Sequence, residues 1–249
     1  MKTNSWAFHA AAAWVGVGAG IAHGAERAVP VYDAVYQVEY KGKNMGSSQF
    51  KVTHDAVQNS YEFTSTTVAK GMLAKLAAPK PTVERSHFMV IDGRIRPVEY
   101  WYEDGSRKGD DDRHIQFDWV RHVAAVSDED GQREVPLEDV SLDPGSLHVA
   151  LMQDLILTGK PGQYRIADNE QATAYGFDDN GETQTDTGLG KLATHGYIQH
   201  REGSSRTTYL WVAPALNYLP ARIETHRNGE LQTALTLMSV TGLESGTKK

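Results

Sequence analysis

Several groups of polar side chains in this chain have the types that chemistry needs, and spacing decides how each reads. Gly109-Asp110-Asp111-Asp112-Arg113-His114 sets three carboxylates side by side. Calcium loops place their ligands at alternate positions and add a distal acid, so this run reads as a solvated loop before a strand. Asp128-Glu129-Asp130-Gly131 reads as a hairpin turn. His114, Asp118 and His122 stand four apart, which on a helix would align them as metal ligands. Their neighbours Ile115, Phe117, Trp119, Val120 and Val123 favour a strand, where that spacing loses its meaning. Ser141, Asp143, Ser146 and His148 contain the members of a hydrolase triad, but no Gly-x-Ser-x-Gly elbow or β/α alternation accompanies them. Helix capping accounts for Asp143 and Ser146. Gly188-Leu189-Gly190-Lys191 lacks the remainder of a phosphate loop and reads as a turn. No catalytic residue, metal site or cofactor is predicted.

The aromatic residues are the better candidates for function. Tyr36, Tyr40, Tyr100, Trp101, Tyr102, Phe117, Trp119, Tyr209 and Trp211 all fall in predicted strands. A curved sheet with such residues on its concave face could enclose an acyl chain or another amphipathic ligand. The predicted contacts are Tyr36, Tyr100, Trp101, Phe117, Trp119 and Trp211 from strands, with Leu151 and Leu155 from a helix above them. Tyr100, Trp101 and Tyr102 are consecutive, so they cannot all face inward.

The elements that would position these residues are mostly strands. Tyr32, Ala34, Tyr36, Val38 and Tyr40 alternate with polar residues, the period of a half-buried strand. Further strand-like runs follow to Val240, punctuated by Asp92-Gly93, Asp104-Gly105, Asp130-Gly131, Asp179-Asn180-Gly181 and Asn228-Gly229, residues that tolerate positive φ in turns. Two segments break the rhythm. Lys70–Ala78 reads as a short helix stopped by Pro79 and Pro81. Asp143-Pro144 is an N-cap followed by proline in the first turn; Leu147, Ala150, Leu151 and Leu155 recur at helical spacing, and Gly159 ends the helix. The prediction is a mainly β fold: a large curved antiparallel sheet or incomplete β-barrel with two short helices packed on it.

The N-terminus supplies an address. Lys2 precedes an apolar run from Trp6 to Ile21, and small residues at Gly20, Ala22 and Gly24 suit cleavage near Ala22 to Ala25. The run is shorter than the ~20 residues of a membrane-spanning helix. Residues 1–22 therefore read as a signal peptide, 30–241 as one β-rich domain and 242–249 as a flexible tail. The chain of 249 residues has no cysteine, which removes disulfides, thiolate metal sites and N-terminal lipidation. A net charge of −7 argues against nucleic acid, whose phosphates require clustered Lys and Arg. The expected location is the periplasm, with no transmembrane segment in the mature protein.

Five phrases taken in order carry a resemblance: Ile91-Asp-Gly-Arg-Ile-Arg-Pro-Val-Glu-Tyr100, Phe117-Asp118-Trp119, Leu142-Asp143-Pro144-Gly145-Ser146-Leu147, Leu210-Trp211-Val212-Ala213-Pro214 and Asn217-Tyr218-Leu219-Pro220-Ala221-Arg222-Ile223-Glu224. Together they resemble the bacterial secreted domain-of-unknown-function family 3108, from about Tyr32 to Val240. That family supplies no activity or catalytic residue to carry over. The Trp211 strand with the following Leu-Pro-Ala-Arg-Ile-Glu is more loosely similar to periplasmic lipoprotein carriers of the LolA/LolB type, which implies an incomplete barrel plugged by helices.

These readings converge on a soluble periplasmic binding or carrier/chaperone-like protein for an amphipathic envelope ligand, a lipid, lipoprotein or glycan. The alternatives are an envelope enzyme acting on glycan, which requires two carboxylates facing one cleft, and a non-catalytic assembly partner.

Overall fold

The computed structural model describes residues 29–72, 79–167, 171–201 and 204–243. The N-terminal segment read as a signal peptide, most of the Lys70–Ala78 segment and the last six residues lie outside them. Among the described residues the strands are β1 (Tyr32–Tyr40), β2 (Lys43–Asp55), β3 (Ser60–Ala69), β4 (Thr82–Ile91), β5 (Arg94–Glu103), β6 (Arg113–Asp118), β7 (Val123–Asp128), β8 (Gly131–Pro136) and β9 (Ser141–Leu142). Helix α1 (Pro144–Thr158) follows, and then β10 (Tyr164–Ile166), β11 (Thr173–Thr187), β12 (Gly190–Arg201), β13 (Arg206–Ala213), β14 (Leu219–Arg227) and β15 (Glu230–Thr241).

All fifteen form one sheet. Its spatial order is β8-β7-β6-β5-β4-β3-β2-β1-β15-β14-β13-β12-β11-β10-β9, so the first and last strands meet in the middle. The sheet is open, with β8 and β9 as its two edges. Hairpins account for this layout. Lys41-Gly42, Asp92-Gly93 and Asn228-Gly229 all have both φ values between 48° and 80°, the pair of left-handed residues that a two-residue turn demands. Every pair of neighbours is antiparallel except β9 and β10, which run parallel because α1 carries the chain across between them.

Helix α1 lies across the concave face. Asp143 caps it: Oδ1 accepts the Ser146 N–H at 2.7 Å, and Ser146 Oγ accepts the Asp143 N–H at 3.0 Å. Gly159, with φ 71°, terminates it and donates its N–H to the Leu155 carbonyl. The first turn sits so close to the sheet that a Cβ on Gly145 would stand 2.9 Å from Ser86 Cβ and 3.0 Å from Phe63 Cδ1. Leu147, Val149, Ala150 and Met152 join Tyr36, Phe50, Val52, Phe63 and Phe88 in the main core. Each fully buried side chain of this size contributes roughly 2–3 kcal/mol of transfer free energy.

The predicted class holds, with corrections. One α-helix lies wholly among the described residues, with a single 3-10 turn at Pro214–Leu216; most of the other predicted helix, Lys70–Ala78, falls outside them. Asp179-Asn180-Gly181 is not a turn: it is a bulge inside β11, where Asp179 faces Tyr197 and Glu182 faces His195, leaving Asn180 and Gly181 unpaired. Asp104-Gly105 does not close a hairpin either. It opens a loop to β6 in which Asp112 accepts the Asp104 N–H and Asp104 accepts the Ser106 N–H, so side chains do the work of a ladder.

Candidate functional site

The predicted contact residues do not share one groove. Tyr36 is in the main core, donating its hydroxyl to the Pro220 carbonyl at 2.9 Å. Tyr100, Phe117 and Trp119 belong to a second cluster around Ile115 and Val126. Leu151 and Leu155 belong to a third, with Tyr197, Leu210 and Val212. Consecutive residues on β5 do split, as expected: Tyr100 is buried, while Trp101 stacks on His114 at 5.2 Å beneath the Arg85 guanidinium. Trp211 likewise stacks on Tyr209, one residue off the Leu210–Val212 face, and so takes the opposite side of the sheet. The His114–Asp118–His122 spacing produces no metal cluster. His114 bonds Glu99 at 2.7 Å, and Asp118 accepts the Val120 and Arg121 N–H groups in a turn.

Two acids come together under the first turn of α1. Burial pushes Asp143 up to about 6, against the pull of its bonds from Ser146 and Ser86, the latter at 2.7 Å. Burial likewise pushes Glu84 up to about 7. Its bond from the Tyr100 hydroxyl at 3.0 Å opposes that rise, and the nearby Asp143 adds to it. His148, ringed by Phe50 and Phe63 at 5.8 and 5.7 Å, is pushed down to about 4 by burial alone. These groups tie helix to sheet in a packed place, and none of them lines the cavities described below. Raised carboxyls would suit a glycan-hydrolysing acid only where substrate can reach them.

Space for a ligand lies at the other end of the helix. A cavity of about 950 Å³ opens between the Gly159–Gly162 loop, the bulged part of β11, β12 and the 3-10 turn. Phe177, Tyr197, Tyr218, Pro161 and Pro214 give it apolar and aromatic walls; Asp179, Glu182, Thr183, Gln184 and His195 give it polar ones. Leu151 and Leu155, two of the predicted contacts, pack directly behind Tyr197. The bulge shapes this wall. Asp179 Oδ1 accepts the Gly181 N–H at 2.8 Å and Oδ2 bonds His195 Nε2 at 2.8 Å, and these bonds, in that order, hold its carboxyl below the usual range. Burial raises Tyr197, and the charges of Asp179 and Tyr218 add to it. Tyr218 itself sits at φ 59°, next to Asn217 at φ 52°. A tyrosine in left-handed backbone costs about 1 kcal/mol or more.

A family profile matches residues 35–236 of the chain. The chain belongs to the DUF3108 family. That family is described as a protein of unknown function. No curated protein matches the sequence. Among solved structures, this DUF3108 chain is similar to MucB at 10% identity and a TM-score of 0.38, with 90% of this chain and 59% of MucB covered. It is similar to the Pseudomonas aeruginosa MucA/MucB complex at 9% identity and a TM-score of 0.37, covering 87% of this chain and 53% of that one. A protein with a YmcC-like fold from Bacteroides fragilis matches at 10% identity and a TM-score of 0.38, with 85% and 96% covered. The chain thus spans little more than half of the MucB chains, and likeness at this level says nothing of ligand or partner.

Proposed function

We propose that this DUF3108 protein is a soluble envelope binding protein of carrier or chaperone type, exported through its N-terminal segment to the periplasm. It takes an amphipathic ligand, a lipid, lipoprotein segment or glycan, into the 950 Å³ cavity at the C-terminal end of α1. The observation that carries this reading is the lining: Phe177, Tyr197 and Tyr218 offer rigid apolar area, while Asp179, His195 and Gln184 offer hydrogen bonds to a polar part. The size lies at the upper end of small-ligand sites. Asp179 and Glu182 both face the cavity, but the acids raised toward a general acid's range, Glu84 and Asp143, are packed beneath the helix, which favours a binding role over glycan hydrolysis.

Native mass spectrometry of the protein isolated from its own cells tests this. A retained lipid or glycan adduct, removed by denaturation, is the expected result. Protein that is bare after gentle isolation, and that takes up neither lipid nor glycan when these are added back, would overturn it.

A further inference from the structure

A second cavity, of about 500 Å³, adjoins the first along the strands. Tyr175 and Gln199 line it, while Phe177 and Tyr197, two residues further on the same strands, line the larger cavity. Residues two apart on a strand share a face and lie about 7 Å apart, so the two cavities form successive parts of one trough.

The character of the second part is different. Arg201, Arg206 and Arg227 line it together with His200, Ser204, Ser205, Thr208 and Thr225, and no described lining residue is a carboxylate. None of the three guanidiniums forms an ion pair with a described residue. By contrast Arg113, Arg133, Arg165 and Arg222 elsewhere all meet carboxylates within 3.6 Å. In a chain of net charge −7, three arginines in one hollow with no ion pair to a described residue are a marked local excess.

Register makes the excess costly to folding. Arg206 and Arg227 are direct cross-strand partners, and like charges in that relation destabilise a sheet. Arg201 and Arg206 each stand two residues beyond the last β12–β13 pair, Gln199 and Thr208, on the same face. No ion pair with a described residue offsets this repulsion between the exposed Arg206 and Arg227; an anion between the three would. Planar guanidinium forks match phosphate oxygens two at a time. The hydroxyls complete such a site: Ser204 Oγ accepts the Arg206 N–H at 3.1 Å, which leaves its own hydrogen free to donate.

We infer that Arg201, Arg206 and Arg227 form an anion site for a phosphate group. The site stands on its own lining. Its junction with the aromatic cavity rests on the proposed function, and it deepens that reading: the ligand carries its phosphate at the β13–β14 end and its apolar part toward Phe177, Tyr197 and Tyr218.

The test is calorimetric titration of the full chain with inorganic phosphate and, separately, with soluble dihexanoyl phosphatidic acid, at ionic strength fixed with sodium chloride. The double variant Arg206→Gln/Arg227→Gln is titrated in parallel. Phosphate binds the wild type, phosphatidic acid binds at least about tenfold tighter, and the double variant weakens both by at least about tenfold. Without phosphate, the variant melts at or above the wild-type temperature, because a repulsion has been removed; a purely structural role for the arginines would lower it. Phosphate heats no different from those of chloride, or wild-type affinity in the double variant, would overturn the anion site. Phosphate binding through the arginines with no gain from the short acyl chains would instead leave the anion site standing and count against the amphipathic reading.

Discussion

Helix α1 crosses one concave face, yet its two ends meet very different surroundings. Over β3, β4 and β5 its first turns are pressed against Phe63, Phe88 and Ser86, with room for no more than the hydrogen of Gly145. Over β11 and β12 the last turn gives way to a glycine- and proline-bearing loop and to open space. The contrast separates the part of the sheet that holds the fold together from the part free to hold something else. It also separates two uses of titratable groups. Under the first turn, Glu84, Asp143 and His148 are enclosed and shifted by burial. Around the trough, acids, histidines and arginines line the cavities instead, and bonds from Gly181 and His195 hold the Asp179 carboxyl below the usual range.

Mutations should divide along the same line. Phe63→Ala in the packed half is expected to cost about 3–5 kcal/mol in urea denaturation, the loss typical of a large core aromatic. Asp143→Ala removes the helix cap and leaves the Ser86 hydroxyl without its partner, costing about 2–3 kcal/mol by the same measurement. Tyr218→Asn, at the cavity edge, should change stability by no more than about 1 kcal/mol, since asparagine tolerates the left-handed backbone that tyrosine is forced into. Ligand affinity should nevertheless fall. If the cavity substitution destabilised the protein as much as the core ones, the division between the two halves would not hold.

Titration gives a subtler check. Glu84 holds its proton more tightly in the folded protein, near 7 against about 4.5 when unfolded. Its contribution to stability is therefore greatest below pH 4.5 and is lost as the pH rises toward 7. His148 works the other way, losing stability as the pH falls from 6.5 toward 4. The informative quantity is thus the difference between wild type and Glu84→Gln, which keeps an acceptor for the Tyr100 hydroxyl. Relative to wild type the variant should gain stability steadily between pH 4.5 and 7 and hold that gain above pH 7. A difference that stays flat with pH would remove Glu84 from the packed cluster.

Much of the packed half could be read in the sequence. Period-2 alternation located β1, and Asp143-Pro144 with Gly159 bounded α1 to the residue, because caps and strand alternation are local signals. The open half was harder to read for physical reasons. Asp179-Asn180-Gly181 has turn chemistry, but ladder bonds on both sides turn it into a bulge, and only tertiary pairing decides between the two. Leu151 and Leu155 pack against Tyr197, one wall of the cavity, and do not line it. Trp101 and Trp211, chosen for their size, fall on the other face, since strand parity cannot say which side will be covered. The arginine trio is invisible along the chain: its members are 201, 206 and 227, and they meet through the register of β12, β13 and β14.

The central claim is that the cavity beside Tyr197 is where ligand binds. Ala193 lines that cavity and is exposed, so Ala193→Trp fills it without disturbing the core. The most direct measurement is the ligand-bound fraction by native mass spectrometry for wild type, Ala193→Trp and the opposite-face control Trp101→Phe, isolated side by side. Binding in this cavity gives adduct in the wild type and the control and its loss in Ala193→Trp. Equal adduct in all three, or loss in the control alone, would contradict it.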